Sequence, residues 1–160
     1  MYTCGRDRRF RPVIVLNGAK LMERNLQPPQ MLRLAYYVLE YISNRLFVPG
    51  KVETWVIIMD LANVPLNQMP ISTLKLMMKS LKRHYCCTLY RMFVVNASSV
   101  VTGIWRMVQY FLEDVTRKKI RICAEDFRAQ VLEVVPREQL ERRFGGERED
   151  LVSGFEPQGD

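Results

Sequence analysis

Apolar residues in this chain follow two rhythms that alternate along its length. Compact runs stand at 13–16 (VIVL), 54–59 (TWVIIM), 92–95 (MFVV) and 120–123 (IRIC). Runs that barely alternate with polar residues predict strands covered on both faces. Arg11-Pro12 opens the first of them, a position where a strand tolerates proline. Between the runs, apolar residues recur every three or four positions, the spacing of one helical face. Met31, Leu34, Ala35, Val38, Leu39, Ile42 and Leu46 mark one such helix, begun by Pro28-Pro29. Ile71, Leu74, Met77, Met78, Leu81 and Tyr85 mark a second, opened by Pro70. Val100, Val101, Ile104, Trp105, Val108, Phe111 and Leu112 mark a third, with Ser98 or Ser99 as its cap. Phe127, Val131 and Leu132 belong to a fourth, and Pro136 starts a last short one.

The order is strand, helix, repeated four times, which predicts an α/β fold of βαβ units around a mainly parallel sheet. Pro49-Gly50 reads as a turn. Residues 1–11 read as polar and basic, and 147–160 as an acidic tail expected to be disordered. The chain contains no internal repeat.

The third helix departs from an ordinary amphipathic pattern. Only Thr102, Arg106 and Gln109 are clearly polar, and Gly103 lies inside it. A glycine there costs about 1 kcal/mol relative to alanine. Arg117, Lys118, Lys119 and Arg121 follow at once. A greasy helix, weakened near its start, thus stands between a strand and a cationic cluster. Periodicity alone reads Val101, Ile104, Trp105 and Val108 as core.

The motifs around this helix, in order, are FVVNAS at 93–98, the helix itself, YFL, KKI, and QVLEVVPREQLERRFGG at 130–146. Upstream stand Gly5 and Asp7, then Arg11-Pro12-Val13, then Ile58-Met59-Asp60-Leu61. In this order and spacing the chain resembles the CRAL-TRIO lipid-binding family. That is the domain of the phosphatidylinositol/phosphatidylcholine transfer proteins and of the retinaldehyde- and tocopherol-binding proteins. The similarity covers residues 5–146. It implies that the sheet is the floor of a hydrophobic pocket and that 99–112 is a gating helix. By family register it implies a lining of Trp55, Ile57, Met92, Val94, Val101, Ile104, Trp105 and Val108. Lys119 falls where the phosphatidylinositol-binding members have a headgroup lysine.

Three departures qualify the resemblance. Cys87 stands where those members carry a glutamate, and Trp55 and Ile57 replace small hydroxyl residues of the phosphatidylcholine-binding members. The expected ligand therefore has little headgroup, such as a sterol, a fatty acid or an isoprenoid alcohol. The family's N-terminal helical layer is expected to be missing before Gly5, as in a fragment, a minimal form, or a chain that covers its open side by self-association. Phe10 replaces a usual glycine.

Composition narrows the function classes. A length of 160 residues suggests one domain, and a hydrophobic fraction of 48% suffices for its core. The formal charge of +7 and pI near 9.4 favour anionic partners. Arg106, Arg117, Lys118 and Arg121, with Lys79, Lys82 and Arg83, form a basic patch expected to face an anionic membrane. No aromatic strand motif or helix-turn-helix supports nucleic acid, which is not expected as a partner. Cys4, Cys86, Cys87 and Cys123 lack ligand or redox spacing, so no metal or cofactor is expected. His84, the only histidine, reads as lying on an exposed turn, and no glycine-rich phosphate loop follows any strand. Asp60 reads as a turn or cap. The expectation is a non-enzymatic binding domain, cytoplasmic and peripheral to membranes, that carries and transfers a lipid or other hydrophobic ligand. The rival is a protein-interaction scaffold with a collapsed cavity.

Overall fold

The computed structural model describes residues 1–64, 71–85, 87–123 and 126–151, without the side chains of Ile71, Thr73 and Leu74. The elements are β1 (Tyr2–Arg6), β2 (Pro12–Asn17), α1 (Gly18–Glu23), α2 (Pro28–Leu46), β3 (Trp55–Asp60), α3 (Ile71–Tyr85), β4 (Leu89–Val95), α4 (Ser99–Val108), α5 (Asp114–Lys119), β5 (Ile120–Ile122) and α6 (Phe127–Leu132). Short 3-10 turns occur at Gln109–Phe111, Arg137–Gln139 and Arg142–Phe144.

The five strands lie in the order β1-β2-β3-β4-β5. β2 to β5 are parallel, in the registers Ile14↔Ile57, Ile57↔Met92 and Met92↔Ile120. Each parallel strand lies next to its predecessor, so crossovers of one hand carry every connecting helix to the same face. Side-chain packing agrees. Ile14 and Trp55 pack with Val38, Leu39 and Ile42 of α2, and Val94 packs with Val101 of α4. We call this the front face. The back face holds Val13, Val15, Val56, Ile58, Phe93 and Val95, covered by Phe127 and Val131 of α6 and by Val135, Leu140 and Phe144.

The four expected strands and their helices are present, and the structure adds three elements: β1, α1 and α5, the last formed by residues read only as part of a cationic cluster. Residues 1–11 are not merely a basic lead-in, because 2–6 form β1, antiparallel to β2. Tyr2 and Cys4 point inward, 1% and 4% exposed, a two-residue period too short to stand out among arginines. Asp7 makes the turn between β1 and β2. Its carboxylate accepts the Arg9 and Arg11 amides, each at 2.8 Å, and pairs with the Arg11 guanidinium at 3.0 Å. That is the physical content of the Gly-x-Asp…Arg-Pro entrance. Phe10 takes a positive φ of 62° in this turn and is exposed. The second addition, α1, is capped by Asn17, whose side chain accepts the Lys20 amide at 2.9 Å.

The third helix ends at Val108 and continues as a 3-10 turn, so 99–112 is not one regular helix. His84 lies in the last turn of α3, not in a loop, with its ring 5.4 Å edge-on from Tyr36. Part of the expected tail is tied down: the Arg148 amide bonds the Leu140 carbonyl at 2.9 Å, and Leu151 packs on the back core. Residues 152–160 lie outside the described residues.

Candidate functional site

The two faces of the sheet are buried unequally. Val56, Ile58, Phe93 and Val95, facing back, are all fully buried. Their front-facing neighbours Ile57, Met59, Met92, Ile120 and Ile122 are only half-buried. Strands whose every residue is apolar would be sealed on both sides in an ordinary α/β protein. Here the front is sealed under α2, at Ile14 and Trp55, and at a small cluster of Leu61, Val94, Ala97 and Val101 against which Met59, Met92, Ile120 and Ile122 pack.

α4 stands beside this surface. Val101 and Val108 are buried, Ile104 and Trp105 half-buried, and Val100 and Met107 exposed at 51% and 58%. Ser98 occupies the N-cap without a side-chain hydrogen bond. A Cβ added at Gly103 would meet nothing within 4 Å. Apolar exposure continues past the helix through Tyr110, Phe111 and Val115, at 77%, 58% and 66%. This rim is apolar along α4 and the segment after it, with Arg106 on the helix and Lys118 beyond it as exposed cations.

The residues singled out from the sequence separate into groups. Met92, Val94 and Val101 meet in one cluster. Trp55 is 2% exposed and sits with Ile57 in a different one, its ring 5.4 Å from Phe47 and 5.6 Å from Tyr85. Tyr85 is held there by a 2.6 Å hydrogen bond from its hydroxyl to Glu40. Lys119 ends α5, half-buried, directly before the strand that pairs with Met92. Within the basic patch, Arg106 and Lys118 are exposed, while Arg117 pairs with Asp114 at 2.7 Å and Arg121 with Glu133 at 3.6 Å. Lys82 pairs with Glu113 at 2.7 Å. Several charges of the patch are therefore already partnered. Cys4 and Cys123 are buried and Cys87 is exposed; Cys86 lies outside the described residues. Burial pushes the Cys4 thiol up to about 12, which keeps it protonated and inert.

A buried polar network at the C-terminal end of the strands was not anticipated. Asp60, at the end of β3, accepts the Ala62 amide at 3.0 Å and the Asn96 side chain at 2.7 Å. This is the turn role read from the sequence, extended across to β4. Arg143 lies 4.0 Å from the other Asp60 oxygen, pairs with Glu141 at 2.7 Å and donates to the Tyr2 hydroxyl. That hydroxyl donates to Glu141 at 2.6 Å. Burial, and then its bond to Glu141, pushes the Tyr2 phenol far up, so it remains a donor. The network ties β1, β3 and the 141–148 segment together behind the open face. Glu141 and Arg143 within the 130–146 motif were the only sequence signal. Glu141 is 2% exposed. Glu141→Ala is expected to lower stability by about 3 kcal/mol, because it strands a largely buried guanidinium and phenol. Urea denaturation measures this, and a change below about 1 kcal/mol would mean that water replaces the carboxylate.

Among the described residues there is no cluster of His, Cys, Asp and Glu that could hold a metal, and no helix long and apolar enough to cross a membrane.

Comparison with known proteins bears on this geometry. The chain is 24% identical over 142 residues to a CRAL-TRIO domain-containing protein of Schizosaccharomyces pombe, covering 89% of this chain and 31% of that one. It is 27% identical over 120 residues to phosphatidylinositol transfer protein CSR1 of Eremothecium gossypii, covering 75% and 27%. It is 36% identical over 63 residues to a phosphatidylinositol/phosphatidylcholine transfer protein of Arabidopsis thaliana, covering 39% and 10%. The chain thus spans a third or less of these relatives. The crystal structure of Sfh5 shares the fold, with a TM-score of 0.72 at 18% identity over 96% of this chain and 57% of that one. The family model for the CRAL/TRIO domain matches residues 1–146, and the chain belongs to that family.

Proposed function

We propose that this protein binds a lipid or another hydrophobic ligand on the front face of its sheet, beside α4, and exchanges it with membranes without making or breaking a covalent bond. The unequal burial of the two sheet faces is the observation that supports this most. Ile57, Met92, Val94 and Val101 are read as floor and wall, and Ile104, Trp105 and Val108 as the inner side of a gate. Trp55, locked between Phe47 and Tyr85, is read as the closed end of the cavity rather than as a mobile contact. Relatives named as phosphatidylinositol or phosphatidylcholine transfer proteins point the same way.

Burying each methylene contributes about 0.8 kcal/mol, so a long acyl chain gains more than about 10 kcal/mol over water. A bilayer offers nearly the same gain. Exchange is then close to balanced, and headgroup contacts and gate opening set specificity and rate. Lys119 supplies donors only. With Cys87 in the acceptor's place, a buried inositol headgroup would leave polar groups unpaired at about 1–3 kcal/mol each. The preferred ligand in this reading has a small headgroup, and the protein works in the cytoplasm at the membrane surface.

Membrane contact is assigned to the apolar rim of α4 with Arg106 and Lys118. Anionic vesicles are expected to bind better than neutral ones, and salt to weaken the difference, since exposed charges are screened beyond about 10 Å at 0.1 M. Vesicle sedimentation measures this. Equal binding to both, or tighter binding to duplex nucleic acid, would contradict the lipid-surface assignment.

A further inference from the structure

The segment that follows α4 is fastened to α3 by side chains alone. Lys82 Nζ lies 2.7 Å from Glu113 Oε1, both side chains about half exposed. Lys75 Nζ lies 4.3 Å from the centre of the Phe111 ring. Among the described residues no backbone hydrogen bond joins α3 to residues 109–113. Lys75 and Lys82 are seven residues apart, two turns along one face of α3, with exposed Lys79 between them. Their partners are two residues apart in the chain. The row of lysines therefore runs along the 111–113 strap and holds it at two points.

We propose that this lysine row is a latch that anionic lipid opens. The inference rests on the reading of α4 as a gate and adds what holds it and what releases it. Both fastenings are exposed contacts, each worth at most about fivefold in an equilibrium constant. They bias the strap toward closure without locking it. An anionic surface offers the same lysines a competing partner, at about fivefold per charge. It also repels Glu113. Phe111, already exposed beside Tyr110 and Met107 on the rim, is freed from Lys75 to enter the bilayer with them. Neutral membranes supply no competing charge, so the latch stays shut on them. A charged bilayer would thus trigger opening where the ligand is to be delivered, and solvent alone would not.

Hydrogen–deuterium exchange of the amides at 109–113 in the full chain tests this directly. In the absence of lipid, Glu113→Gln or Lys82→Ala should speed exchange there by about two- to fivefold. The charge swap Lys82→Glu with Glu113→Lys should restore protection, while β4 amides stay unchanged. Vesicles of equimolar phosphatidylcholine and phosphatidylserine should speed the same amides in the native protein, and phosphatidylcholine vesicles should not. Unchanged exchange in the single variants, or no rescue by the swap, overturns the latch. These readings need no bound ligand. A bound lipid without the exchange effect would refute the latch and leave the cavity standing. The exchange effect without any bound lipid would do the reverse.

Discussion

Replacing Gly146 with alanine is expected to remove about 4 kcal/mol of stability and roughly 10 °C of melting temperature. A Cβ at this position would sit 1.9 Å from the Leu140 carbonyl oxygen and 2.3 Å from its carbon. Both are backbone atoms and cannot swing aside. The preceding Gly145 turns the chain with a φ of 98°. The Gly146 amide then bonds the Glu141 carbonyl at 3.0 Å, and Arg148 N bonds Leu140 O at 2.9 Å. Opening this turn would pull Leu140 and Phe144, both fully buried, away from the back core. It would also disturb Glu141 in the polar network. Gly103→Ala is the internal contrast. It sits in a helix with open space around it and is expected to gain about 0.5–1 kcal/mol. Thermal and urea unfolding of the two variants should diverge in opposite directions. A Gly146→Ala protein of native stability would contradict the packing described for the 141–148 turn.

The second large effect concerns binding. Met92→Asp is expected to weaken hydrophobic-ligand binding by more than about a hundredfold, because the carboxylate would be buried against apolar groups with no partner. Met92 is central to the front face, in register with Ile57 on one side and Ile120 on the other. It is half-buried, so an aspartate there can stay hydrated until a ligand covers it, and the fold should survive. Met107→Asp, on the exposed side of α4, should leave cavity affinity unchanged and reduce vesicle binding. Displacement of a fluorescent fatty acid, with circular dichroism to check folding, measures both variants. Equal affinities in native protein and Met92→Asp would place the ligand elsewhere.

Strands β2 to β4 and helices α2, α3 and α4 were legible because their apolar periods are long, and the short β5 and α6 were legible from the apolar residues at 120–123 and at Phe127, Val131 and Leu132. β1 was not, since two inward residues, Tyr2 and Cys4, give no period among Arg6, Arg8, Arg9 and Arg11. α1 was missed because its six residues depend on one cap, Asn17, more than on any apolar stripe. The unequal covering of the sheet was out of reach of pattern alone. Ile57 and Ile58 look identical in a sequence, yet one is half-buried and the other sealed. That difference arises from which face the crossover helices take, a property of strand order. The family resemblance implied what periodicity could not, that one face is the floor of a pocket. Trp55 illustrates the converse. Register placed it among the lining residues, and its aromatic neighbours Phe47 and Tyr85, distant in sequence, pack it shut. The network of Tyr2, Asp60, Glu141 and Arg143 joins both ends of the chain, and no local spacing encodes such a contact.

The central claim is that the front face carries a hydrophobic ligand. Native mass spectrometry of the purified full chain, followed by organic extraction of the same sample, tests it most directly. The account predicts a complex with about one small-headgroup lipid per chain, such as a sterol, a fatty acid or an isoprenoid alcohol, lost in Met92→Asp. A chain that flies without any ligand, and takes up none from mixed-lipid vesicles, would contradict it.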